Sequence, residues 1–262
     1  MAHRLARPIR SILLAAVVTG LATTGANALD VVSCNDLIPD REIGDLVSDL
    51  DCGPAEFGIT LGARSVLRLN GFELRGREGA SAVHCTRTSC TVLGPGRITD
   101  AGTGIDLADN LRLRIHGVEL DGNAAAILGE QGPMISGGNS SVRATDLTVR
   151  NSGAFGVITG NFVGRNVVLE NNGDRGIWAR IIRGRDFTVV GNGNHGLDAR
   201  GRIAIENLQA TGNAGSGVHC EGTVTLRDSA LAGNTPLDLI AEKARLSDTT
   251  CGTSNLGVCA DD

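Results

Sequence analysis

Tyrosine is absent from this 262-residue chain, tryptophan occurs once, at Trp178, and lysine once, at Lys243. Aromatic residues make up 2%, too few for a groove lined with sugar-stacking rings. With a single lysine the basic character is of the arginine type, and no Lys-rich tract suggests nucleic acid. The formal charge is −5, and charged residues are scattered as on a solvated outer face. No Cys-x-x-Cys pair or His-x-His is present to support zinc, so no metal ligand set is expected. No Ser-His-Asp system is signalled by a nucleophile-elbow pattern. Beyond the first 28 residues no segment is apolar enough to span a membrane.

What is present is repetition. Asp146, Asn166, Asp186, Asn207, Asp228 and Asp248 recur at intervals of 20 or 21 residues. Apolar or small residues follow each at a fixed offset: Val149, Leu169, Val189, Ala210, Leu231 and Cys251. Further along come Ser152, Asn172, Asn192, Asn213 and Asn234, then Gly156, Gly176, Gly196 and Gly217, with Asp238 as the exception. A period this short excludes tetratricopeptide, ankyrin and propeller repeats. The segments alternate as strands do, and Gly and Asn punctuate them as turn residues tolerating positive φ. A coil of three short strands cannot bury its apolar face alone and must stack on copies of itself. The expectation is an all-β, single-domain, right-handed parallel β-helix of about nine coils, the hand following from the crossover rule.

Four further features frame that stack. Residues 1–28 read as a secretory signal: Arg4, Arg7 and Arg10, then an apolar stretch from Ile12 to Ala22, then Ala26-Asn27-Ala28 as a cleavage site. Residues 29–57 read as an N-terminal cap, with helical spacing of Ile43, Leu46, Val47 and Leu50 between Asp40 and Leu50. The coils are expected over 58–252 and a C-terminal tail or cap over 253–262. Between Asn123 and Ser152 the period lengthens, and the excess lies in 129–139, read as a loop extruded from the stack.

Seven cysteines fit an oxidising compartment, hence export to the periplasm or the extracellular space. Local pairing joins Cys34 with Cys52, Cys85 with Cys90 and Cys251 with Cys259. Cys220 is left as a small core residue in line with Ala179 and Ala199. A rival reading is a lipoprotein, with Val31-Val32-Ser33-Cys34 as the cleavage box and Cys34 as the acylated residue.

The Gly-Ile/Val/Leu strands after an Asn lead, the Asp/Asn-apolar-x-apolar strands and the opening Leu-Asn-Gly-Phe-Glu-Leu-Arg-Gly at 69–76 resemble secreted β-helix repeat proteins of the pectate-lyase-like superfamily, from about Cys34 to Cys259. That superfamily holds lyases, hydrolases, epimerases and non-enzymatic proteins, so the resemblance speaks to fold rather than activity. It implies an extended polysaccharide lying along the Gly-Ile strand face. The paired aspartates and Gly-His-Gly of polygalacturonase-like hydrolases are missing. So are the Asp-Pro-His-Asp of alginate epimerases and a clear acidic cluster for the calcium of pectate lyases.

Strand alternation sorts that face into rows. With Val157, Ile177, Leu197, Val218 and Leu239 pointing in, one outward row reads His84, Asp106, Leu128, Ile158, Trp178, Asp198, His219, Ile240. A second includes Arg180, Arg200 and Glu221, and the preceding turn adds Asp174, Arg175 and His195. Trp178 offers a platform for a sugar ring. Arg180 and Arg200 suit bidentate binding of uronate carboxylates. Asp198 and His219 suit general acid/base exchange, with Arg200 beside them if the protein is an enzyme. Asp174, His195 and Glu221 complete the expected binding set. Against this, arginine–aspartate pairs on a sheet surface commonly serve only solubility, and each contributes ~0–1 kcal/mol. The expectation is therefore an exported, monomeric, non-catalytic glycan-binding or cell-surface scaffold module without cofactor. The alternative is a small polysaccharide lyase or glycoside hydrolase on an acidic polysaccharide, with calcium as a lyase's cofactor.

Overall fold

The computed structural model describes residues 28–53, 58–108, 111–129, 140–257 and 259. The leader through residue 27 and the 130–139 part of the expected loop lie outside them. The described chain is all β, with 20 strands joined by parallel pairing into a solenoid of about nine turns. No helix of it is long and apolar enough to cross a membrane.

One coil shows how the sequence makes the fold. The strand Val157–Glu170 runs through two corners, so its segments 157–159, 161–165 and 167–170 lie on three faces. Each residue pairs with its counterpart one coil on: Val157 with Ile177, Asn161 with Ile181, Val167 with Phe187. The inward columns are apolar and closed to water. Val157, Ile177, Leu197, Val218 and Leu239 are wholly buried, as are Phe162, Ile182, Ile203 and Val224. Burying each such side chain stabilises by ~1.5–3 kcal/mol. Phe162 and Phe187 meet edge to face at 6.1 Å. Gly164 leaves the room they need, since a Cβ there would stand 2.7 and 2.8 Å from the two rings. Cys220 takes the alanine place of its column, between Ala199 and Ala241, and is 1% exposed.

The two polar rows have separate physical roles. Asp146, Asn166, Asp186, Asn207, Asp228 and Asp248 all adopt φ between 48° and 60°, the left-handed region that Asp and Asn enter more readily than other non-glycine residues. Their alternation also links coils: the Asn166 amide donates to Asp146 Oδ1 at 2.7 Å and the Asn207 amide to Asp186 Oδ1 at 2.9 Å. The second row is buried. Asn172 Nδ2 donates to Asn192 Oδ1, Asn192 Nδ2 to Asn213 Oδ1, and Asn213 Nδ2 to Asn234 Oδ1, at 2.7–2.8 Å. Each amide also donates to a backbone carbonyl of the preceding coil. The interrupted glycine column now has a reason. Asp238 Oδ1 accepts from Asn234 Nδ2 at 2.7 Å, and Asp238 Oδ2 accepts the backbone N–H groups of Gly252 and Thr253. The carboxylate ends the amide ladder where no further asparagine follows.

Two expectations change. The 40–50 segment is not helical: it forms the strands Ile43–Leu46 and Leu50–Asp51, which pair with Ser65–Arg68 and Glu73–Arg75. Four apolar residues at helical spacing do not outweigh the backbone partners that the next coil offers, and Val47 is 42% exposed. Strand pairing therefore begins at Leu29, inside the expected cap. At the other end Asn255 donates to the Ala241 carbonyl and accepts its N–H. Cys34–Cys52, Cys85–Cys90 and Cys251–Cys259 all stand in disulfide geometry. The first pairing takes the Cys34 thiol that lipidation would need.

Candidate functional site

Parallel register brings residues some 20 positions apart to neighbouring rungs. Ile158 pairs with Trp178, Trp178 with Asp198, Asp198 with His219, and His219 with Ile240. The column expected from alternation thus exists. Beside it runs a turn column of Phe155, Arg175, His195 and Ser216, each residue standing just before Gly156, Gly176, Gly196 or Gly217. The two columns meet with an offset of one rung. Phe155 stacks on Trp178 at 5.9 Å, Arg175 reaches Asp198, and His195 stacks on His219 with centroids 4.5 Å apart and planes 14° apart.

Asp198 is the centre. It is 7% exposed, whereas strand alternation places it outward, because the long Arg175 side chain and the His219 ring lie over it. Its Oδ2 accepts from Arg175 Nε at 2.6 Å and its Oδ1 pairs with His219 Nδ1 at 2.7 Å. Burial works to raise its carboxyl pKa, but the hydrogen bonds and charges of His219 and Arg175 outweigh that and leave it below the ordinary value. Arg175 also contacts Asp174, with NH1 3.3 Å from Oδ2, and lies 4.9 Å from the Trp178 ring centroid, a cation–π distance.

The two imidazoles are driven apart. The hydrogen bond that His219 donates to Asp198, then the carboxylate's charge, hold the His219 pKa above the usual histidine value against partial burial. Burial and the neighbouring His219 charge push His195 below it. His195 Nδ1 accepts the Ser216 backbone N–H at 2.9 Å, so the neutral ring carries its proton on Nε2. His219 carries a proton on Nδ1 toward the carboxylate, which leaves its Nε2 an acceptor when the ring is neutral. Among the described residues neither Nε2 has a hydrogen-bond partner.

His195, Asp198 and His219 each place one ligand-type atom within 4.8 Å of the others. The tautomers speak against a metal. His195 Nδ1 is committed to a backbone donor and its Nε2 is protonated, while the Asp198 oxygens are already engaged by Arg175 and His219. The arrangement suits hydrogen bonding or proton transfer at the ring edges instead.

Of the residues singled out from sequence, Trp178, Asp198, His219, His195 and Asp174 come together, with Arg175 as their connector. Arg180, Arg200 and Glu221 are not in one uniform register: Arg200 and Glu221 keep step, between Ala199–Cys220 and Arg202–Thr223, but Arg180 does not. Strand register shifts at that corner, where Ala179 pairs with Ala199 but Ile181 with Arg202. Arg180 turns toward the next face and donates to Asn161 Oδ1 at 3.4 Å. Glu221 is exposed and acts on His219 only through its charge. Trp178 is an incomplete platform, because Phe155 and Arg175 both pack on it. Phe155 was not singled out, since its link to Trp178 depends on the one-rung offset.

The same column carries a second pair near its beginning. His84 Nδ1 lies 2.9 Å from Asp106 Oδ2, and both line a cavity of about 290 Å³ with Thr60, Gly58 and Ser81. Their adjacency was readable from the row, but neither was chosen, because no other ionisable group accompanied them. Comparison with protein-family models, curated proteins and solved structures returned no match, so what stands established is the parallel β-solenoid itself.

Proposed function

We propose that this is an exported β-helix protein of the pectate-lyase-like kind that holds a glycan against the Trp178–Asp198–His219 column without turning it over. One observation carries the reading. Two stacked imidazoles present their Nε2 edges side by side, His195 as a donor and His219 as an acceptor when neutral or a donor when charged, beside an aromatic ring on the next rung. Such a set recognises a sugar by a donor, an acceptor or cation, and an apolar face, all in place before the ligand arrives. The three disulfide pairs support an oxidising compartment.

Binding fits the electrostatics better than hydrolysis does. Cleavage of a glycoside needs one carboxyl kept protonated near neutral pH beside an ionised one. Asp198 is driven the other way, and Asp174 shares its arginine. A second reading keeps one specific support: a buried carboxylate orienting His219 through Nδ1, with Nε2 left over, is a general-base geometry suited to proton abstraction.

The test uses the mature protein with polygalacturonate, alginate and neutral glycans, with and without calcium. Binding is followed by Trp178 fluorescence, and turnover by new unsaturated or reducing ends. Saturable binding that weakens about tenfold or more in His219→Ala, with no new chain ends, is the expected result. Chain ends released by the wild type and not by His219→Ala would establish the enzymatic reading instead. A fluorescence signal unmoved by every glycan would end both.

A further inference from the structure

We infer that a different face, the one formed by the segments 112–116, 141–145, 161–165, 181–185, 202–206, 223–227 and 243–247, binds an acidic polysaccharide through its arginines. Register sets its outward residues in three columns. The first reads Arg112, Ser141, Asn161, Ile181, Arg202, Thr223, Lys243. The second reads Arg114, Arg143, Val163, Arg183, Ala204, Thr225, Arg245. The third reads His116, Thr145, Arg165, Arg185, Glu206, Arg227, Ser247. Ten of these positions are cationic and one, Glu206, is acidic, in a chain whose formal charge is −5.

Elsewhere the same solenoid pairs opposite charges across rungs. Arg97 meets Glu73 at 2.7 Å, Arg68 meets Asp45 at 3.5 Å, and Arg150 meets Asp121 at 3.0 Å. On this face the rule holds only where Glu206 stands between Arg185 and Arg227. Arg114 stands opposite Arg143, and Arg165 opposite Arg185, and like charges directly opposite on a sheet are destabilising. Among the described residues, the only ion pairs made by this face are at its rim, Arg185 with Asp186 at 3.8 Å and His116 with Asp146 at 3.5 Å. A stripe with so few acids among its cations does nothing for the fold, and it leaves guanidinium forks for carboxylate or sulfate groups.

A second feature places a ligand group there. A cavity of about 280 Å³ opens at the C-terminal end of the face, lined by Arg202, Arg227 and Arg245 with Thr225 and Ser247. Three cations and two hydroxyls around one hollow match a single anionic substituent of a polymer. Cations also recur along the columns, Arg143 and Arg183 two rungs apart, Arg202 and Lys243 likewise, a spacing of ~10 Å at twice the strand separation. That periodicity suits a stiff chain with regularly placed charges lying along the solenoid axis. The outward columns contain no Phe, Tyr or Trp, so the large base-stacking platforms of single-stranded nucleic-acid binders are missing.

The experiment compares wild type with the triple variant Arg202→Ser/Arg227→Ser/Arg245→Ser, all three at solvent-facing positions. The probes are polygalacturonate, dextran sulfate, neutral dextran and an oligothymidylate, at about 0.01 M and about 0.5 M salt, roughly a sevenfold change in screening length. Binding to at least one acidic glycan is expected, weakened tenfold or more in the triple variant and by salt. The Trp178 fluorescence response reports the glycan site proposed above and is expected to survive in the triple variant, so loss of that site and loss of this one are told apart. Whichever of carboxylate or sulfate polymer binds tighter names the substituent. Equal binding by wild type and triple variant, no binding of either acidic glycan, or tighter binding of oligothymidylate would overturn the proposal.

Discussion

Replacing Asn192 by alanine probes the interior of the solenoid at one amide. Asn192 Oδ1 accepts both the backbone N–H and the side-chain amide of Asn172, at 3.2 and 2.8 Å. Its Nδ2 donates to Asn213 Oδ1 at 2.8 Å and to the Leu169 carbonyl at 3.3 Å. All three asparagines are buried, so water does not replace what is removed. Alanine leaves two donors of Asn172 and an acceptor lone pair on Leu169 unpaired. At ~1–3 kcal/mol for each buried orphan, and allowing for local relaxation, the loss is about 3–5 kcal/mol. A stack held by nearest-neighbour contacts passes that loss to both adjoining coils. Urea denaturation followed by circular dichroism reads it, with Asn207→Gly as the comparison. Asn207 has a similar amide contact, to Asp186, but is exposed, and glycine adopts its φ of 58° without strain. That control is expected to move stability by no more than ~0.5 kcal/mol. Equal midpoints for the two variants would refute the claim that the buried ladder holds the turns.

Two other perturbations follow from the packing. In Gly176→Ala the new Cβ would stand 2.6 Å from the Gly196 carbonyl oxygen and 3.3 Å from Asn192 Nδ2, so the coils must part. A loss of ~1–3 kcal/mol with a lowered melting temperature is expected, and an unchanged melting curve would show that the coils are looser than described. Cys220 is buried between alanines with its thiol pKa raised by that burial. Cys220→Ala is expected to fold with a stability change of ~1 kcal/mol or less, and the native thiol to react with an aromatic disulfide reagent only on unfolding; rapid labelling of the folded protein would contradict this.

How much of this was legible in the sequence depends on what each inference needed. Column membership follows from the period and from alternation, and needs no contact information. That suffices for Trp178, Asp198 and His219, for Cys220 among alanines, and for the structural standing of both Asp/Asn rows. Contacts between columns depend on side-chain length and on the one-rung offset between the turn and the strand. Alternation therefore put Arg175 in the neighbourhood without making it the partner of Asp198, and left Phe155 aside. Arg180 falls out of step with Arg200 and Glu221 because one inserted residue at a corner shifts the register there. The helical reading of 40–50 failed because spacing alone ignores the strand edge that the next coil presents. The cationic face was written in the sequence as scattered arginines. It emerges once seven segments are laid side by side.

The account rests on successive coils lying in register closely enough to couple groups some 20 residues apart. The most direct measurement is the NMR titration of the His219 and His195 rings in wild type and in Asp198→Asn. The account predicts that His219 titrates above 6.5 and His195 below it, and that Asp198→Asn brings His219 down. In linkage terms, the His219 contribution to stability is complete below 6.5 and fades as pH rises through its folded value. The cost of charging His195 is absent above 6.5 and grows as pH falls toward its folded value. Two histidines titrating together at the ordinary value, with His219 indifferent to Asp198→Asn, would contradict it.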